Sequence, residues 1–207
     1  GTDNPLAQGV ENRARVDWWE NSRRLTRLHQ IKCIENPRGL ATFNENAWGL
    51  SASDTATGYG VPGVLPNPIP MLGAIPEIDY PTFEPTDDYG DGTLAPYTAG
   101  CTIMFDPERA VAALRYYRSL AADGALPELW NAPGDGVSDA GGYGFQDSYN
   151  LGTKWVAPDV VAIDQGPLII AIENARTGLV WDLFHKHRFV QQGLERLGLE
   201  RSRPAGR

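Results

Sequence analysis

A chain of 207 residues has the length of one ordinary domain with a water-excluding core, and its formal charge is −8. Hydrophobic residues at 42% and charged residues at 21% stand near the globular average, which argues against both a disordered and a membrane-embedded chain. The acidic balance, with no Lys/Arg cluster among aromatics before the last few residues, excludes nucleic acid and anionic membrane surfaces as partners. The longest apolar stretch, 167–172, is far shorter than the roughly 20 residues that a bilayer span needs. Cys33 and Cys101 form no C-x-x-C, so neither a zinc knuckle nor a dense disulfide framework is expected. Residues 1–9 lack the basic start and apolar run of a signal peptide.

In chain order, residues 1–16 read as a lead-in, 17–199 as one helical domain and 200–207 as a frayed basic tail. The spacing of Trp18, Leu25, Leu28, Ile31 and Ile34 predicts an amphipathic helix over 17–35, closed by Asn36-Pro37. Glycine and proline crowd 58–100, which predicts a long irregular loop, and its Tyr and Phe residues favour order. Asp106-Pro107-Glu108 is a helix start, and that helix should run to about Ala122. A second glycine-rich stretch, 131–144, leads into Phe145-Gln-Asp-Ser-Tyr-Asn150. Asp164 is expected to cap a helix over 165–185, and a last amphipathic helix should cover 188–197. The fold class is therefore all-α, with long irregular loops carrying the site on one rim. Five or six helices account for the whole chain, about half of what a twelve-helix toroid requires.

Several motifs fail on context. Gly58-Tyr-Gly60-Val-Pro-Gly63 matches G-x-G-x-x-G, but the prolines that follow forbid the helix that would hold a pyrophosphate. Asp87-Asp-Tyr-Gly-Asp-Gly is not a calcium loop, because Tyr89 takes the third ligand position and Thr98 stands where the bidentate Glu belongs. His185 and His187 point to different sides and form no metal motif.

What remains is a set of carboxylates flanked by aromatics in glycine-rich turns: Trp48 to Asp54, Asp91 to Tyr97, Tyr143 to Asp147, and Ile163 to Pro167. Aromatic faces cover the C–H side of a pyranose, and carboxylates take up its hydroxyls. Glycoside cleavage needs two carboxyl groups, one to protonate the leaving oxygen and one to activate water or attack carbon. Each residue also has a structural reading. Asp164 can simply cap its helix, Asp91 and Asp147 can form turns, Asp54 can end a short helix, and the tryptophans can be core.

The order of motifs is more specific than any one of them. W-W-E-N-S-R-R, N-x-W-G-L-S-A-S-D, D-G-T-L-A-P-Y, Y-G-F-Q-D-S-Y-N, I-D-Q-G-P-L-I-I-A-I-E-N-A-R-T-G-L-V-W and G-L-E-R-L-G-L together span about 17–199. In that order they resemble the glucoamylase-like family that includes bacterial endo-β-1,2-glucanases and a domain of cyclic β-1,2-glucan synthases. The resemblance implies an (α/α)6 toroid, of which this chain is the C-terminal half, acting on a neutral β-glucan with no metal or organic cofactor. It implies Asp164 as general base, with Asp54, Asp91 and Asp147 as cleft-lining acids. Trp48, Tyr59, Tyr97, Phe145 and Asn150 would be wall residues. Glu173 and Asn174 are expected to pack or hydrogen-bond within their helix, with Arg176 pairing one of them.

The family's first half, with the general acid, would lie ahead of the W-W-E-N-S segment, so an N-terminal half or partner chain completing the toroid is expected. A periplasmic or exported location is implied. Two other functions stay open: a non-catalytic glycan-binding or assembly module, and a transglycosylating domain that uses the same cleft.

Overall fold

The computed structural model describes residues 17–60, 89–132 and 142–199. The expected lead-in, basic tail and centres of both glycine-rich stretches lie outside them. Among the described residues six α-helices form the frame: α1 (Trp18–Glu35), α2 (Pro96–Cys101), α3 (Pro107–Ala122), α4 (Ala162–Arg176), α5 (Leu179–Lys186) and α6 (Arg188–Arg196). Three two-stranded antiparallel ribbons join them: β1 (Ser53–Thr55) with β2 (Gly58–Gly60), β3 (Trp130–Asn131) with β4 (Gly144–Phe145), and β5 (Tyr149–Asn150) with β6 (Trp155–Val156). The helical expectation is thus modified by ribbons of two or three residues, too short to show a period of two in the sequence.

Two helix starts are built by aspartate caps, at Asp17 and at the expected Asp106. Asp17 Oδ1 accepts the N–H groups of Trp19 and Glu20 at 3.0 and 3.1 Å, and Asp106 accepts that of Arg109 at 3.3 Å. Asn36 ends α1 in the left-handed region at φ 37°, and its N–H reaches Lys32 O. Its side chain then ties the next turn, accepting the Leu40 N–H and donating to the carbonyls of Leu40 and Phe43.

Two helices depart from the expectation. Pro96 opens α2 inside what reads as irregular loop, using the first-position preference of proline. The long helix expected over 165–185 is broken: α4 ends at Arg176, and Gly178 at φ 73° starts α5 as a separate helix. Buried Asn174 holds the corner by accepting the Trp181 N–H at 3.0 Å. Arg176 pairs with Glu173 at 3.4 Å, as expected.

The core gathers Leu28 and Cys33 of α1, Phe43, Trp48, Leu50, Tyr89 and Leu94 of the loops, Ala113, Tyr117 and Leu120 of α3, and Phe145 and Tyr149 of the ribbons. Tyr117 is wholly buried, and its hydroxyl donates to Trp48 O at 2.7 Å and accepts the Trp48 N–H at 3.3 Å. This bond fixes the loop that carries the W-G-L-S-A-S-D motif to the centre of α3. Helix α2 packs between α3 and α4. Two glycines allow that close approach. A Cβ on Gly49, already at φ 112°, would meet the Ala99 backbone nitrogen at 3.0 Å, and one on Gly100 would overlap Leu168 of α4.

Candidate active site

The close packing around α2 brings four distant segments to one place. Tyr97, on the first turn of α2, donates its hydroxyl hydrogen to Ala52 O at 3.0 Å, and its oxygen lies 2.7 Å from Ser51 Oγ. Just beyond, β1 carries Asp54. The Asp54 N–H donates to Asp147 Oδ2 at 2.9 Å, and Asp54 O accepts from Ser148 Oγ at 2.6 Å. Residues 147 and 148 are therefore clamped to β1 from 93 and 94 positions away. The Asp147 N–H is spent on Asp159 O, and Gln165 at the start of α4 donates to Phe145 O at 3.0 Å. Helix α4 is thereby anchored to the same strip, with Asp164 beside Asp147 and Tyr97.

Asp164 does not cap α4. Val161 stands at the cap with no side-chain hydrogen bond, and Asp164 occupies the third helical position. It is not held ionised either. Desolvation, followed by a hydrogen bond and charge repulsion from Asp147 and by the Asp54 charge, pushes its carboxyl up from 3.8 to about 7, with the nearby Tyr97 hydroxyl opposing the rise. The helix N-terminus would favour the anion, but it acts within one turn and is outweighed by burial beside two other carboxyls. Tyr97 is itself raised, first by burial, with Asp164 and Asp147 adding to it.

A carboxyl that titrates near neutrality can both take up and release a proton at physiological pH, which an ordinary aspartate cannot. Asp54 lies opposite Tyr59 in the β1–β2 register, so the two side chains share a face of the ribbon. Tyr59 is 72% exposed, leaving its ring free to lie against a ligand at that face.

Four of the expected site residues are elsewhere. Trp48 is fully buried in the core, with no face open to a sugar. Phe145 packs edge-on against Trp130 and Tyr117 at centroid distances of 4.7 and 6.3 Å. Asn150 is buried and structural: its Nδ2 donates to Asp91 O at 3.0 Å and its Oδ1 accepts the Thr153 N–H. Asp91 is exposed and closes a turn, accepting the Thr93 N–H at 2.9 Å. In each case apolar area or an unpaired backbone group claims the side chain. Ser51 and Gln165 belong to the site's support and escape sequence reasoning, although both lie inside the quoted motifs.

The family described as Glycoamylase, "Putative glucoamylase", matches residues 6–188. The chain belongs to this family. It is 32% identical over 183 residues to an exo beta-1,2-glucooligosaccharide sophorohydrolase (non-reducing end) of Parabacteroides distasonis, covering 88% of this chain and 20% of that protein. Among solved structures it is similar to a beta-1,2-glucanase from Parabacteroides distasonis, with a TM-score of 0.65 and 30% identity over 93% of this chain and 22% of the other. It is equally similar in fold, at 0.65 and 35% identity, to a glucoamylase-family structure from Bacteroides uniformis ATCC 8492, covering 93% of this chain and 37% of that one. The chain thus spans between about a fifth and two fifths of these relatives.

Proposed function

We propose that this chain forms part of a glycoside hydrolase acting on a neutral β-glucan, with β-1,2-linked glucan as substrate and Asp164 as general base of an inverting mechanism. The observation that carries the proposal is the near-neutral carboxyl of Asp164, walled by Tyr97 and lying in one cluster with Asp54. The naming of relatives for β-1,2-glucan hydrolysis supports the substrate. Above pH 7 ionised Asp164 takes a proton from water as it attacks the anomeric carbon, and a facing carboxylic acid protonates the leaving oxygen.

The facing acid of an inverting pair stands about 6.5–9.5 Å away to leave room for that water. Asp147 hydrogen-bonds Asp164 and leaves no room for that water, and we assign the acid to helices that complete an (α/α)6 ring around the site. Helices α4, α5 and α6 support this reading. They expose Ile169, Ile170, Leu183, Phe184 and Phe189, and α5 and α6 bury no residue at all. Apolar surface on this scale is ordinarily covered in a soluble assembly.

The test is incubation of the intact protein with linear β-1,2-glucan, following product anomers by proton NMR. Initial release of the α-anomer is expected. The β-anomer first would replace inversion by retention. Binding without cleavage would make the protein a glycan-binding module.

A further inference from the structure

We propose that Asp147 is a positioning residue: its buried carboxylate, held by the Asp54 N–H on Oδ2, shares one proton with Asp164 and so sets the charge that Asp164 presents to substrate. The proposal deepens the reading of Asp164 as the proton-exchanging group and rests on it for its effect on turnover.

The geometry starts at β1. Asp147 is 2% exposed, and the 2.9 Å bond from Asp54 N–H fixes Oδ2. Its Oδ1 is fully buried and meets no hydrogen-bond donor among the described residues. A buried carboxylate oxygen without a donor costs free energy, and among the described residues the groups acting on the neighbouring Asp164 are Asp147, Asp54 and Tyr97, all acidic. Cys101 on α2 also senses Asp164 and is itself neutral, pushed up to about 11 by burial. The carboxyl of Asp164, within hydrogen-bonding reach of Asp147, is the donor available. Two adjoining carboxyls in a partly dry site cannot both ionise at ordinary cost, and a single shared proton relieves the repulsion and satisfies the acceptor together. Asp164 is raised first by desolvation, and Asp147 adds to that rise through a hydrogen bond and its charge.

The test is a pH titration of the Asp164 side-chain carboxyl by carbon-13 NMR on the intact protein, in wild type and Asp147→Asn. An Asn side chain still accepts from the Asp54 N–H and can donate its amide to Asp164, so the clamp survives while the charge is removed. In wild type Asp164 is expected to titrate near 7, and in Asp147→Asn at least one pH unit lower. An Asp164 carboxyl that titrates near 4 in wild type overturns the proposal without any variant. An unchanged titration in folded Asp147→Asn overturns it too. Because the titration is read without substrate, its outcome is distinct from that of the hydrolysis test.

Discussion

Asp164→Asn removes the carboxyl that is raised to about 7 while keeping its size and a polar head. General acid or base groups typically contribute at least about a hundredfold to turnover, so kcat should fall by that factor or more, about 2.7 kcal/mol of barrier. The pH dependence is the sharper signature. With a carboxyl at about 7 that must be ionised to act, kcat/KM for the intact protein should rise through pH 7. At pH 6 it should reach only about a tenth of its plateau, since each unit below the pKa costs a factor of ten in anion. Asp164→Asn should leave a residual rate without this limb.

Stability moves the other way. A carboxyl raised from 3.8 in the unfolded chain to about 7 in the fold stabilises the folded state fully below its unfolded value, and this is lost as pH rises through 7. Asn stays neutral throughout, so at pH 8 the variant should melt at or above wild type. Reducing-end assays on β-1,2-glucan oligosaccharides from pH 5 to 9, with parallel thermal melts, read both effects. A variant with wild-type turnover and an unchanged pH limb would remove Asp164 from the chemistry and leave Asp54 as the carboxyl to test.

Trp48→Ala should destabilise the fold by about 3–5 kcal/mol in urea unfolding, as expected for truncating a fully buried tryptophan, instead of weakening glycan affinity in a folded protein. Tyr59→Ala should do the opposite. Its ring is 72% exposed, so stability should stay within about 0.5 kcal/mol, while oligosaccharide affinity by calorimetry should fall about threefold to tenfold through loss of a stacking face. Unchanged affinity would move the sugar away from the β1–β2 ribbon.

Much of the frame was legible because its signals are local. Asn36 and the Asp106-Pro107 pair act on backbone groups close along the chain, and the structure uses both as helix ends. Pro96 carried a similar signal for α2, obscured by the glycine and proline around it. The break at Gly178 was hidden by an apolar run that reads equally well as one helix or two.

The sequence by itself determined the ends of α1, α3 and α6, the family and the set of acids and aromatics from which a site could be built, because capping, proline geometry and motif order depend on neighbours along the chain. Tertiary structure decided which of those residues meet. Trp48 and Tyr59 are alike as aromatic letters near acids, yet one is sealed under the Tyr117 hydroxyl and the other stands on a ribbon open to solvent. Asp54 and Asp147 lie 93 residues apart and become partners through one hydrogen bond from the Asp54 N–H to the Asp147 carboxylate. The charge of Asp164 is the clearest case: its helix position alone favours the anion, and only the burial and carboxyls that packing sets around it raise it to about 7. Desolvation and pairing are properties of three-dimensional neighbours, and no spacing along a chain encodes them directly.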